Sequence, residues 1–76
     1  MPALLKEPLP RILAILVAND RRFATIGEGR IVGIGDRIGR RTVVAIEENA
    51  VVLREPSGVR IRVGLSGRVL GVERGR

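Results

Sequence analysis

The chain has 76 residues, enough for one domain that buries only ~60% of the surface exposed by its unfolded form. It contains no cysteine and no histidine, so disulfides and a structural zinc cannot stabilise it, and the commonest general bases and thiol nucleophiles are missing. We therefore expect a non-enzymatic domain with no catalytic residue, no cofactor and no metal site. Fourteen basic and eight acidic residues leave a formal charge of +6, which attracts phosphate backbones or anionic lipid head groups.

Composition favours strands over helices. Valine and isoleucine recur in short runs, and ten glycines separate these runs. We predict an all-β fold, a small antiparallel β-sandwich or barrel of about six short strands. Phe23 is the only aromatic residue, and as the largest apolar side chain available it is expected to anchor the core.

The beginning of the chain contains three of its four prolines, Pro2, Pro8 and Pro10. We interpret residues 1–9 as the end of an extended linker and residues 10–64 as the folded domain, as in a fragment excised from a longer protein. The apolar stretch 9–18 is interrupted by Pro10 and Arg11 and is shorter than the ~20 residues that span a bilayer. We expect no targeting segment and a soluble chain.

A nearly continuous apolar run at residues 12–17 predicts the first strand. A short helix beginning at Pro10 is the alternative, because the periodicity of short apolar runs does not separate the two. A second strand at 22–26 returns across a turn at Asn19 and Asp20. The first strand of this hairpin is the expected open edge of the sheet, where a partner strand can add.

The rest of the domain is predicted to continue as antiparallel strands. A strand at 30–34 runs into a tight turn at 33–36, where glycine takes positive φ and Asp36 bonds backbone amides. Residues 65–76 add either a short edge strand or a loose end, and we predict a basic, flexible tail. Alternating apolar residues between these segments predict a three-stranded meander whose core positions are Val44, Ile46, Val51, Leu53, Val59 and Ile61.

Other groups with chemical potential are interpreted as structural. Ser57 and Ser66 lie in glycine-flanked turns, where serine usually only shapes the turn. Ile38 stands where a dinucleotide-binding fingerprint needs its third glycine, which leaves the preceding glycines as turn formers. A solvated surface is preferred to a divalent-cation site for three neighbouring acids, Glu47, Glu48 and Glu55.

A small basic nucleic-acid-binding barrel of the KOW type is the alternative to a protein-binding domain. The charge favours it, but binders of this size usually add aromatic stacking platforms, and Phe23 is expected inside the core. The arginines are spread along the chain, and protection of strand edges explains many of them. A module that pairs its own edges into a dimer is the third hypothesis.

The order of apolar and glycine-containing segments resembles the periplasmic homology region of the type II secretion protein GspC. The pilus protein PilP and domains of the secretion proteins B and N are similar as well. The resemblance covers about Pro10 to Val63 and is carried by a closing hairpin and by the segments 12–17, 22–26, 32–38, 43–46 and 51–53.

The resemblance implies a β-sandwich or barrel, tethered to the inner membrane by an upstream helix and linker, that docks on the first periplasmic domain of an outer-membrane secretin. In such domains the early strands bear the contact. No membrane helix precedes the domain in this sequence, and the basic tail after Gly64 has no counterpart in the family. Carried onto this chain, the partner-binding residues are Ile12, Leu13, Ile15, Val17, Arg21 and Arg22.

Overall fold

The computed structural model of the protein describes residues 9–65 and 68–73. The first eight residues of the linker assigned to residues 1–9, the turn at Ser66 and the last residues of the tail lie outside this part of the chain. Within the described part there are eight strands, β1 (Ile12–Ala18), β2 (Arg21–Ile26), β3 (Arg30–Gly33), β4 (Arg37–Ile38), β5 (Arg41–Ile46), β6 (Ala50–Arg54), β7 (Arg60–Gly64) and β8 (Val69–Glu73).

Two antiparallel sheets pack face to face. Sheet A contains β1, β2 and β3 in that order, and sheet B contains β4 to β8 in chain order, so within each sheet every strand pairs with its neighbours in sequence, and the chain changes sheet between β3 and β4. The all-β sandwich predicted from the sequence is confirmed, with eight described strands instead of about six. The single core between the sheets contains Ile12, Ala24, Ile26 and Val32 from sheet A and Val43, Ile46, Val51, Leu53, Ile61 and Val63 from sheet B.

The first hairpin forms as the sequence predicts. The apolar run is a strand and not a helix, and it pairs with β2 across the turn at Asn19 and Asp20. Both turn residues have positive φ, 51° and 69°, as a type I′ turn requires, and short polar side chains tolerate this conformation best. The turn therefore fixes the register of sheet A.

A β-bulge in β5 corrects one predicted core position. The register with β6 shifts between Val43 and Ala45, which inserts an extra residue into β5. Val43 is therefore fully buried and Val44 only half-buried, the reverse of what strict alternation predicts. Ile46, Val51, Leu53 and Ile61 are buried as predicted, and Val59 is partly buried against the core.

Phe23 does not lie in the core, so the expectation that it anchors the interior is wrong. Ala24 and Ile26 face sheet B, and the alternation of side chains along β2 sends Phe23 to the opposite face of sheet A. There its ring lies across Gly33 on β3, where an added Cβ would be 3.4 Å from Phe23 Cδ1. The missing side chain of the glycine makes room for the ring.

The segment after Gly64 is not a loose tail throughout, since β8 pairs with β7 over residues Val69–Glu73. This corrects the prediction of a flexible end and confirms the alternative of a short edge strand. The strand is held by more than backbone pairing, because the Leu70 side chain lies over Gly64, where an added Cβ would be 3.0 Å from Leu70 Cδ1. Three apolar residues in a glycine-rich stretch gave too weak a period-two signal to predict it.

Candidate functional site

Strand β1 has an open edge. It pairs with β2 on one side, and on the other side it has only a parallel bridge between Ile12 and Leu65 within the described residues. The residues that flank a two-residue turn form a hydrogen-bonded pair, and such pairs alternate with non-bonded pairs along the ladder. The backbone groups of Ile15 and Val17 therefore point away from β2, towards the position of a further strand.

This edge is the least protected one in the described part of the molecule. Natural edge strands are usually short or carry charges, prolines or bulges that prevent pairing with other chains. The β1 strand has seven residues, ILAILVA, without a charge or a proline, although its register shifts once near its start. By contrast, β3 has four residues, β4 has two, and β8 contains a register shift and ends at Glu73.

Apolar side chains continue from this edge across the outer face of sheet A. One row of paired residues contains Leu16, Phe23 and Gly33, and the next contains Ala14, Thr25 and Ile31. Leu16 is 45% exposed and Ile31 is 58% exposed, while Phe23 is half-buried. No charged residue interrupts these two rows, so they form an apolar strip beside the open edge, here called the outer strip.

The structure divides the predicted partner-binding residues between two environments. Ile12 is buried in the core and is unavailable to a partner, and Ile15 packs partly against the core. Leu13, Val17 and both arginines are exposed. The sequence analysis missed Leu16, Phe23 and Ile31: Phe23 was expected in the core, and the pairing that brings the three side chains onto one face joins three strands.

The tip of the first hairpin borders an open depression of about 720 Å³. Arg22 lines it and donates a hydrogen bond from Nη1 to the carbonyl oxygen of Ile46, at 3.0 Å. On the far side, the Asp36 carboxylate accepts a hydrogen bond of 2.8 Å from the Gly33 amide, which closes the predicted tight turn. The hairpin tip and this turn are therefore held in place around a depression that also exposes Ile34.

Two of the three acids interpreted as solvated surface are engaged in ion pairs, which corrects that interpretation. Arg41 is 3% exposed, and its Nε donates to Glu55 Oε2 at 3.1 Å. Arg62 Nε lies 3.0 Å from Glu47 Oε1 but outside hydrogen-bonding geometry, and its Nη2 donates to Oε2 at 3.2 Å. Glu48 is exposed, as expected.

The described residues contain no cluster of three or more acidic side chains that could hold a metal ion. They also form no helix with the length and hydropathy needed to cross a bilayer. Comparison with protein families, curated proteins and solved structures finds no match to this chain.

Proposed function

We propose that this domain is a non-enzymatic adaptor that binds another protein by accepting a strand at the β1 edge. The observation that carries the proposal is the uncharged, seven-residue edge strand beside the apolar outer strip. Main-chain hydrogen bonds along the edge supply affinity in such complexes, and pockets for alternate side chains supply specificity. A partner strand at this edge would also shield the adjoining exposed part of Leu16 from water.

We further propose that the partner is the periplasmic domain of an outer-membrane secretin, in a bacterial secretion or pilus machine. The support is the resemblance of residues from about Pro10 to Val63 to the homology region of GspC and PilP. In this proposal the parent protein is anchored in the inner membrane and the domain works in the periplasm. Leu13 and Val17 remain proposed contacts, the buried Ile12 is withdrawn as one, and Leu16 is added.

The test separates backbone pairing from side-chain contact at one position. Val17 is 68% exposed, and its amide points away from β2, so Val17→Pro removes an outward donor without breaking the hairpin ladder. Val17→Thr keeps the amide and also suits a strand. We expect Val17→Pro to weaken binding to the isolated secretin segment at least tenfold and Val17→Thr to change it less than threefold.

Binding is measured by titrating isotope-labelled domain with the secretin segment, and amide signals from Leu13 to Ala18 are expected to shift. Equal affinity of both Val17 variants would exclude strand addition, and shifts confined to β7 and β8 would place the site elsewhere. Light scattering of the domain alone tests self-pairing, because a concentrated sample that dimerises through β1 would support an oligomerisation module instead.

Nucleic-acid binding is the second candidate, and one observation favours it. Phe23 lies half-buried on the outer strip instead of in the core, on the same strand as the exposed Arg21 and Arg22. An accessible ring beside guanidinium groups is a platform on which a base can stack. Titration with a generic single-stranded nucleic acid at two salt concentrations tests this function: affinity that falls steeply with salt and is lost in Phe23→Leu supports it, and no binding at low salt excludes it.

A further inference from the structure

A row of arginines crosses the outer face of sheet B. The register places five residues side by side on neighbouring strands, in the order Arg37, Thr42, Arg54, Arg60 and Glu73. Adjacent strands lie about 4.8 Å apart, so the Cα atoms of Arg37 and Arg54 are separated by about 10 Å. The two rows on this face, with Arg62 in the second, form what is here called the arginine face.

The arginine face contains a like-charge pair that lowers stability. Arg54 and Arg60 stand directly opposite each other, and like charges in this position are destabilising. Within the described residues neither side chain forms an ion pair, and Arg37 forms none through its guanidinium group. Glu73 flanks Arg60 on the other side, and Glu47 is paired with Arg62. Within the described residues, the positive charge that no acidic neighbour compensates therefore lies at Arg37 and Arg54.

Apolar side chains lie on the same face, next to the arginines. Val52 is opposite Arg62 in the second row, and Leu70, 48% exposed, covers Gly64 at the end of β7. The arginine face therefore combines guanidinium groups with one exposed leucine, Leu70, at one end of the sheet.

We propose that the arginine face docks on the surface of an anionic lipid bilayer. Guanidinium groups bind phosphate oxygens through paired donors, and apolar side chains add affinity by entering the boundary between head groups and acyl chains. The face has no aromatic residue for stacking bases, because Phe23 lies on the opposite sheet. An acidic protein segment would pair with the arginines but would leave the exposed Leu70 uncovered. This inference is independent of the proposed protein partner, since the two surfaces lie on different sheets.

The charge-reversing variant Arg54→Glu gives the sharpest test. It removes two units of positive charge from the row and converts the like-charge pair with Arg60 into an ion pair, so the fold is kept or slightly stabilised. Each basic residue near an anionic surface contributes about 1 kcal/mol, so the partition coefficient is expected to fall about thirtyfold. Arg60→Gln removes a single charge and is expected to lower it about fivefold.

The matched control is Arg11→Glu, which changes the net charge by the same amount. Arg11 is exposed, directly precedes β1 of sheet A and lies beside Gly27, whereas the arginine face belongs to sheet B. The probe is sedimentation with vesicles of phosphatidylcholine containing none or half phosphatidylglycerol, at low and at physiological salt. Melting temperatures of all variants are measured in parallel.

The proposal is supported if vesicle binding requires phosphatidylglycerol and weakens with salt. The partition coefficient should then fall about thirtyfold in Arg54→Glu and change less than threefold in Arg11→Glu. Three results would overturn the proposal: no binding to phosphatidylglycerol vesicles at low salt, equal losses in the two charge reversals, or binding of duplex DNA or a polyglutamate peptide, but not of vesicles, through Arg54. The first leaves the face without a lipid ligand, the second assigns the effect to net charge, and the third assigns the face to another polyanion.

Discussion

The turn between β3 and β4 depends on two glycines for different reasons. Gly35 has φ of +98°, a backbone conformation that residues with a Cβ adopt only with strain, although its side is open to solvent. Gly33 has an ordinary backbone, and an added Cβ would touch the Phe23 ring at 3.4 Å. Gly35 is therefore constrained by its backbone conformation, whereas the contact at Gly33 is of ordinary length and leaves room for a Cβ.

We expect Gly35→Ala to lower the free energy of unfolding by about 1–3 kcal/mol, because the strained φ persists in the folded state. Gly33→Ala should change it by less than about 1 kcal/mol, since the contact with Phe23 is of ordinary length. Urea unfolding of both variants measures the difference. Equal effects would show that contact, not conformation, governs this turn.

Phe23 shows where residue-level prediction from the sequence fails. Composition predicts that the only aromatic residue is buried, and most large aromatic side chains are. In β2, however, alternation assigns Ala24 and Ile26 to the core, and Phe23 takes the face on which Gly33 leaves space. The space beside Gly33 exists because β2 pairs with β3, and the sequence of β2 by itself does not reveal this pairing.

At the level of strands, the sequence correctly predicted where most of the strands lie, but it often did not predict which of their side chains face the core. The turns at Asn19-Asp20 and at Gly35 are marked by residues that tolerate positive φ, so the strands between them were located correctly. Register shifts in β1, in β5 and between β7 and β8 then change which residues point inwards. A bulge has no simple sequence signal, which is why Val44 was assigned to the core face.

The ion pair between β5 and the end of β6 gives a prediction at the same scale. Glu55→Gln keeps an acceptor but removes the charge that compensates the buried Arg41, and we expect a loss of about 1.5–3 kcal/mol in stability. Glu47→Gln acts on a pair in which both side chains are 41% exposed, where ion pairs contribute about 0–1 kcal/mol. Chemical denaturation at low and high salt distinguishes them, because only the exposed pair should be screened. A smaller loss in Glu55→Gln than in Glu47→Gln would contradict the difference in burial.

The whole molecule combines a minimal core with two exposed surfaces of opposite character. Within the described residues, a cluster of ten buried apolar side chains holds the two sheets together, and the sequence has no cysteine for a disulfide. The outer strip of sheet A is apolar, and the arginine face of sheet B is basic. A domain of this size can present both surfaces only if a few core residues supply most of its stability.

A substitution at Ile61 tests whether the stability of the domain depends on a few core residues. The Ile61 side chain is fully buried at the centre of the core, and replacement by alanine should cost about 2–5 kcal/mol. A chain of 76 residues typically has about 4–11 kcal/mol in total, so the variant should melt at a much lower temperature or be partly unfolded at 25 °C. Val72, opposite Ile61 on β8 but 56% exposed, is the matched control, and Val72→Ala should cost less than about 1 kcal/mol. Melting curves of both variants that match the curve of the unsubstituted protein would mean that sheet B buries its other face, and the arginine face would then exchange places with the core side of that sheet.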